Sequence, residues 1–301
     1  MAALLYQMFS SASLLSFGLY HLISATRNYL KSPPSYTAKP HHPLPLSSSN
    51  RFKHFHLYLL ILCLLIAFIH QALISTDSDP LLKGRTPVHR FTSLQSAAVL
   101  FLFFIVSVAL LISESTSLLP LPNDLFFALA SALFFLQYSV SSSAASVQTS
   151  NLEAKCDGIS AQISVAIALL CLILAFQPRM FMADVGLAGA ICLQGLWVLQ
   201  TGLSLYVEAF IPEGCHRLLD VMTGVEGSTK CDLDESTLRA VAILDLMFVV
   251  HVTFVVLIVI VTFAVVAKTS GIRKLGSYEA LPTSAADSNH IQMKALTGTQ
   301  A

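Results

Sequence analysis

The stretch from Asp184 to Glu208, whose middle reads LQGLWVLQTGLSLY over Leu193 to Tyr206, decides the fold. A helix of this length crosses a hydrocarbon core of roughly 30 Å, yet this one carries glutamines, a tryptophan and hydroxyls. At about 100° per residue, six of these side chains share an arc of roughly 120°, namely Gln194, Trp197, Gln200, Thr201, Ser204 and Glu208. Gly195 and Gly202 lie on the opposite side of the helix. Because lipid cannot satisfy polar groups and glycines permit close backbone approach, the pattern indicates an inner helix of a membrane bundle.

Composition places most of the chain in lipid. Of its 301 residues, 55% are hydrophobic and 11% are charged, against about 25% charged residues in a typical soluble domain. The 17 basic and 17 acidic residues balance, which argues against nucleic-acid binding, because that function needs an excess of positive charge. The predicted partner of most of the surface is therefore the lipid bilayer.

Seven apolar segments have the length of a membrane span. They cover residues 4–24, 55–74, 94–113, 124–145, 158–176, 184–206 and 240–267. The sequence thus predicts an all-α, multi-pass bundle of seven transmembrane helices over residues 1–267, with the sixth and seventh helices near its centre. The fourth span turns serine-rich after Tyr138, and this half either faces the bundle interior or leaves the membrane early. The polar tail over residues 268–301 is predicted to be disordered.

The distribution of Lys and Arg predicts the orientation of the chain. Ten of the 17 basic residues fall on the side that carries the first loop and the C-terminal tail. Because cytosolic loops are enriched in these residues, we expect the N-terminus outside or in a lumen and the C-terminus in the cytosol. The membrane is either the plasma membrane or an endomembrane.

The first loop is rich in proline and histidine, in the run KSPPSYTAKPHHPLPL. Prolines preclude a regular helix, which predicts an exposed and partly extended connector. Four histidines on or beside this loop would bind a metal if the loop folded around them, namely His41, His42, His54 and His56. We favour the simpler interpretation of incidental histidines on a flexible loop, since nothing in the sequence preorganises them. No metal centre and no cofactor are predicted.

A few ionisable residues fall within or beside spans, where charge is costly. They are His21, His70, Glu208, Asp245 and His251. In one interpretation a polar interior binds a small solute, an ion or a lipid headgroup, using Gln194, Trp197, Gln200, Thr201, Asp245 and His251. In the other, which we favour, the glutamines bridge neighbouring helices and His251 is a satisfied core histidine.

Two further motifs lie outside the spans. Cys215 and Cys231 are spaced to close a disulfide loop if their segment is lumenal or extracellular, with Cys156 as an alternative partner. In the tail, Tyr278-Glu-Ala-Leu281 is similar to the tyrosine-based sorting signal that adaptor complexes bind. Sorting adaptors are therefore a predicted partner of the tail.

Three motifs resemble a known family. They are Phe17-Gly18-Leu19-Tyr20-His21, His89-Arg90-Phe91-Thr92, and Leu193-Gln194-Gly195 followed by Trp197, Gln200, Gly202 and Tyr206. With the seven-span layout, they are similar to the transmembrane protein 45 family, which carries domain of unknown function 716, and indicate a plant-like member. The resemblance implies a multi-pass membrane protein whose biochemical activity is not established.

The sequence shows no grouping typical of an enzyme. It contains no HExxH, Walker A or GxSxG motif and no spaced cysteine pair of the zinc type. We therefore expect a non-enzymatic protein acting in membrane trafficking, scaffolding or stress response. The alternative is a transporter or lipid-binding protein that uses the polar arc of the sixth helix.

Overall fold

A computed structural model of the chain describes residues 2–43, 54–75, 88–116, 118–148, 150–219 and 226–269. Seven of its helices are long and apolar enough to cross a membrane. They are α1 (Ala2–Lys31), α2 (Phe55–Ile74), α3 (Val88–Ser115), α4 (Asn123–Val147), α5 (Asn151–Phe176), α6 (Phe181–Tyr206) and α7 (Asp234–Thr269). The predicted fold class, an all-α bundle of seven helices that can each span a membrane, is confirmed.

Several helices extend beyond the apolar segments that predicted them. α1 continues to Lys31, and α5 begins at Asn151, where the Ser150 hydroxyl accepts a hydrogen bond from the Glu153 amide. The serine-rich half of α4 stays helical to Val147. Its polar side chains find local partners, as when Gln137 Nε2 donates to Ser141 Oγ at 3.1 Å. Hydropathy alone does not register such polar helix ends, because capping and local side-chain bonds stabilise them.

α1 and α6 form a tight antiparallel pair. A Cβ atom on Gly18 of α1 would lie 2.6 Å from Cys192 Sγ of α6, and one on Gly202 of α6 would lie 2.8 Å from Gln7 Cβ of α1. Both distances are shorter than carbon contacts allow, so these backbones approach as closely as they do only because both positions are glycine. The glycine side of α6 thus packs on α1.

α6 is the most enclosed of the seven helices. In its apolar window, 56% of the residues are buried, against 11% in α7. The expectation of an inner sixth helix agrees with this burial, whereas the expectation of a central seventh helix is wrong. α7 contributes Ala240 and Leu244 to the core near its start and leaves most of its length exposed on the outside of the bundle.

A short hairpin covers the end of the bundle where α6 finishes. Strands β1 (Cys215–Leu219) and β2 (Glu226–Cys231) pair antiparallel, and a disulfide joins Cys215 to Cys231. Thr229 fixes the hairpin to two helices: its hydroxyl donates to the Leu205 carbonyl at 3.0 Å, and its own carbonyl accepts from Ser150 Oγ at 2.5 Å. The hairpin therefore joins the start of α5 to the end of α6.

We predict that Gly18→Ala destabilises the protein by about 1–3 kcal/mol, because the added methyl group forces α1 and α6 apart. The backbone nitrogen of Cys192 and the carbonyl oxygen of Ala188, at 3.0 and 3.1 Å from the added atom, leave no room for side-chain relaxation alone. Thermal unfolding of the purified protein in detergent measures the difference.

Gly158→Ala is the matched control, since a Cβ on Gly158 of α5 meets no atom within 4 Å. This variant should equal or exceed the wild-type stability, because alanine favours helix over glycine. Equal melting temperatures for the two variants would contradict the close contact of α1 with α6.

Candidate functional site

His21 of α1 and Asp184 of α6 form a buried hydrogen-bonded pair between the two helices. His21 Nε2 lies 2.7 Å from Asp184 Oδ1, and the two residues are 5% and 0% exposed. His21 follows Gly18 by three residues and precedes Ala25 by four, so that all three lie on the side of α1 that faces the bundle. The close approach of α1 and α6 therefore brings the imidazole to the carboxylate.

The segment that follows α1 packs beside this pair and bonds to it. The Tyr36 hydroxyl donates a hydrogen bond to Asp184 Oδ2, and the Ala38 amide donates to the Pro178 carbonyl at 2.7 Å. The Tyr36 ring also packs edge-on against Phe181. Both oxygens of the Asp184 carboxylate thus have partners.

The prediction of an exposed first loop is wrong for Tyr36, Ala38, His41 and His42, whereas Thr37 and Lys39 between them are exposed. Tyr36 and Ala38 are 4% and 1% exposed, and His41 and His42 are 5% exposed each. The prolines do prevent a regular helix, but the extended backbone hydrogen-bonds to the α5–α6 connection and is buried there. The part of the loop over residues 44–53 lies outside the described residues.

His42 places a third ligand group beside His21 and Asp184. Asn28 Nδ2 donates to His42 Nδ1 at 3.0 Å, and the Tyr20 hydroxyl donates to the His42 carbonyl at 2.5 Å. The other ring nitrogen, Nε2, is buried and has no hydrogen-bond partner among the residues that the structure describes. One ligand atom from each of His21, His42 and Asp184 lies within 4.8 Å of the others. We call these three residues the inner cluster.

Two further histidines form what we call the outer pair, His41 and His54. His54 Nδ1 lies 3.3 Å from His41 Nε2, and His54, just before α2, is only half-buried. His56 lies next to the pair and stacks on the Tyr20 ring at a centroid distance of 4.1 Å. The outer pair is thus more accessible than the inner cluster.

Burial keeps the side chains of Tyr36, His41 and His42 neutral. Burial, followed by the nearby His54, His56 and His21, lowers the pKa of His41 to about 4. Burial and the neighbouring His21 lower the pKa of His42 to about 3, against the partial compensation of Asp184. Burial and the Asp184 charge raise the pKa of Tyr36. At neutral pH both imidazoles of the segment therefore keep a free electron pair, as a metal ligand requires.

The polar side of α6 forms most of its side-chain hydrogen bonds with α5 or within α6 itself. Gln194 Nε2 donates to Ser160 Oγ at 2.7 Å, and Trp197 Nε1 donates to the Cys156 carbonyl at 3.0 Å. Gln200 Nε2 donates to Ser204 Oγ on its own helix at 2.9 Å. Within the described part of the chain, the Gln194 Oε1 atom is buried without a hydrogen-bond partner.

The remaining predicted site residues have separate partners. Thr201 hydrogen-bonds with Cys156, and Asp245 pairs with Lys155 at 2.7 Å with its side chain 55% exposed. His251 Nδ1 donates to the Met247 carbonyl of its own helix at 2.6 Å, and its ring touches the Trp197 ring edge-on. Interhelical and local bonds thus account for the contacts of this set.

Other candidates lie apart from the inner cluster. His70 stacks on Tyr6 at 4.0 Å, Glu208 is exposed in a short turn after α6, and Cys156 is a free buried thiol. Tyr278 and Leu281 of the sorting motif, and the tail predicted to be disordered, lie outside the described residues.

Asp184 is not identified as a site residue from the sequence, because there it only marks the start of the sixth apolar segment. His21 is a candidate without a partner in the sequence, and His42 falls on a loop predicted to be flexible. One signal is present: an aspartate in the first turn of the sixth span and a histidine close to a glycine motif in the first span both need buried partners.

Acidification should destabilise the protein through His41 and His42. An unfolded histidine takes up its proton at about pH 6.5, whereas these two do so at about pH 4 and 3 when folded. The unfolded state therefore binds more protons between these values, and stability falls as the pH drops from about 7 towards about 3. We expect His42→Gln to flatten the fall in melting temperature measured in detergent with a chelator present.

His216→Gln is the control for this titration, because the exposed His216 lies on the hairpin, away from the inner cluster. It should keep the wild-type pH dependence. A His42→Gln variant with the same slope as His216→Gln would show that burial of His42 does not govern the acid sensitivity.

Comparisons with known proteins find a similar family for part of the chain. A search of curated proteins finds no match. The model of a protein family described as "Family of unknown function (DUF716)" matches residues 123–264. The matched range holds Asp184 and the polar side of α6, whereas His21 and His42 lie before it. Over residues 123–264 the chain is therefore similar to DUF716, a family of unknown function, and this match supports the DUF716 part of the resemblance seen in the sequence.

Proposed function

We propose that the chain is a multi-pass membrane protein that binds one divalent transition-metal ion at the inner cluster. The observation that carries the proposal is the convergence of ligand atoms from His21, His42 and Asp184 within 4.8 Å of one another in a buried place. A buried His42 Nε2 without a partner is costly. An ion bound by this nitrogen would remove that cost.

The ligand set selects the class of ion. Two imidazoles and one carboxylate suit Zn²⁺ and the neighbouring transition metals, whereas Ca²⁺ and Mg²⁺ prefer oxygen ligands. Zinc binds imidazole nitrogen and carboxylate oxygen at about 2.0–2.2 Å, so His42 would move toward the ion. The 2.7 Å hydrogen bond between His21 and Asp184 would be replaced by a bond from each group to the ion, with the His21 ring proton on Nδ1. Asp184 supplies a negative charge that partly offsets the ion's charge in the buried site.

Groups around the inner cluster can orient its ligands. When Nε2 of His42 binds an ion, its ring proton resides on Nδ1, and the Asn28 side chain accepts from it by turning its amide oxygen inward. The Tyr36 hydroxyl holds the Asp184 carboxylate. Such outer contacts fix the direction of metal ligands in proteins.

We expect the purified full-length protein to bind about one equivalent of Zn²⁺ and to develop a Co²⁺ absorption spectrum of low coordination number. His42→Ala and Asp184→Asn should each abolish measurable binding, and Asn28→Ala should weaken it by about 10- to 100-fold. Calorimetry measures the affinity, and thermal unfolding shows which variants remain folded.

His251→Ala is the control, because its ring bonds to its own helix and not to the inner cluster. It should bind Zn²⁺ as the wild type does. Wild-type affinity in a folded His42→Ala variant, or wild-type binding of Ca²⁺ in preference to Zn²⁺, would overturn the proposal.

The cellular role that we propose is non-enzymatic and lies in membrane trafficking, scaffolding or stress response. It is supported by the lack of catalytic motifs in the sequence and by the Tyr278–Leu281 motif. The alternative, transport or lipid binding through the polar arc of α6, has less support, because Gln194, Trp197 and Gln200 bond to neighbouring protein groups.

The finer family assignment is also a proposal: a plant-like member of the transmembrane protein 45 family. This assignment is supported by the contacts that residues of the three resembling motifs make in the structure. Gly18 and Gly202 permit the contact of α1 with α6, His21 pairs with Asp184, and Trp197 joins α6 to α5.

We propose that the N-terminus is outside or lumenal and the C-terminus cytosolic, in the plasma membrane or an endomembrane. The Lys and Arg distribution supports this orientation. So does the Cys215–Cys231 bridge, since disulfides persist in oxidising compartments. The inner cluster, near the end of α1 and the start of α6, would then lie on the cytosolic side.

Tyr278→Ala combined with Leu281→Ala should shift the protein from its normal compartment, if adaptors sort it through the tail. Fluorescence microscopy of the tagged chain measures the shift, and a tag after residue 301 should become accessible only after permeabilisation. Glu279→Ala, between the two motif residues, serves as the control. Unchanged localisation of the double variant would remove the support for sorting, and a tag exposed on intact cells would reverse the orientation.

A further inference from the structure

We propose that His41 and His54, the outer pair, form a second, transient metal-binding site through which the ion reaches and leaves the inner cluster. This inference rests on the proposed metal binding at the inner cluster and adds the route to it. Its substrate class is the same divalent transition metal.

The geometry of the outer pair suits a two-ligand site. His54 Nδ1 and His41 Nε2 face each other at 3.3 Å, and the ring centroids are 5.4 Å apart. Ligand nitrogens around a tetrahedral zinc ion are separated by about the same distance, given bonds of roughly 2.0–2.1 Å. Without an ion, one ring must donate an N–H to the other for the contact to be favourable. An ion can replace that hydrogen atom between the rings with little movement of the side chains.

The outer pair is continuous with the inner cluster. His41 and His42 are neighbours in the chain, and the His42 ring lies 5.4 Å from the His21 ring. Exposure falls along this series, from the half-buried His54 to His41 and His42 at 5% each and Asp184 at 0%. Imidazoles therefore extend from the accessible edge of the bundle to its buried carboxylate.

The binding step balances without an external reagent. Each neutral imidazole has one ring proton and one free electron pair. In the ion-bound form the His41 proton is on Nδ1 and the His54 proton is on Nε2, so that the two facing nitrogens both bind the ion. One ring changes tautomer, and water at the half-buried His54 can exchange that proton. No proton is released overall in this step.

Charge gives the transfer its direction. The outer pair binds a dication with neutral ligands alone, whereas the inner cluster adds the carboxylate of Asp184 and a third ligand. The inner position is therefore the more stable one, because a buried cation needs a nearby negative charge. The outer pair is then occupied briefly, and its main effect is on the rate of exchange.

The test measures Zn²⁺ binding and release by the full-length protein in detergent, using stopped-flow mixing with a metal-sensitive dye and a chelator chase. His54→Ala is the informative variant, since His54 is half-buried and its removal does not touch the inner cluster. We expect both the association and the dissociation rate constants to fall by about tenfold, with an unchanged Kd, because a group that assists passage acts equally in both directions.

His216→Ala is the matched control, an exposed histidine on the hairpin that should keep both wild-type rates. Wild-type rates in His54→Ala would overturn the route while leaving the inner cluster's metal binding intact. A weaker Kd with faster release would also overturn it, since His54 would then be a ligand of the resting ion. Failure of the wild-type protein to bind Zn²⁺ would instead refute the proposed function itself, and the route with it.

Discussion

The close antiparallel contact between α1 and α6 is the constraint on which the rest of the structure depends. Glycines at 18 and 202 let the two backbones meet, and the same contact sets His21 opposite Asp184. A carboxylate with no exposed surface in a membrane-spanning helix is costly unless other groups satisfy it. Here the imidazole of His21 and the hydroxyl of Tyr36 do so. The contact between α1 and α6 therefore provides both the close helix packing and the partners of the buried Asp184 carboxylate.

The two ends of the bundle are built differently. At one end a disulfide-linked hairpin is fixed to α5 and α6 through Thr229. At the other end a segment without regular structure, residues 36–42, folds inward and supplies Tyr36, His41 and His42. Between them the polar side of α6 bonds to α5 through Gln194 and Trp197. The polar side chains in the middle of the bundle thereby link α6 to α5, and the proposed metal ligands lie at one end.

The sequence predicts the fold well because length and hydropathy are local properties that a span must satisfy. It also indicates the inner position of α6, since its glycines and glutamines recur at helical spacing. It does not predict the inner cluster. His21 and Asp184 are 163 positions apart, and no periodic pattern connects them. The Ala38 to Pro178 hydrogen bond and the ring contacts of Tyr36 hold the 36–42 segment against the bundle. Neither feature can be predicted from composition.

The distance in sequence between His21 and Asp184 has a consequence for biosynthesis. At about 5–20 residues per second, synthesis of the intervening 163 positions takes roughly 10 to 30 s. During that interval α1 has been synthesised but α6 has not, so that His21 and the helix surface around Gly18 do not yet have their final contacts. Helices two to five must leave that surface free until the sixth emerges. Folding of this chain in the membrane therefore finishes late, by docking its earliest helix against one of its last.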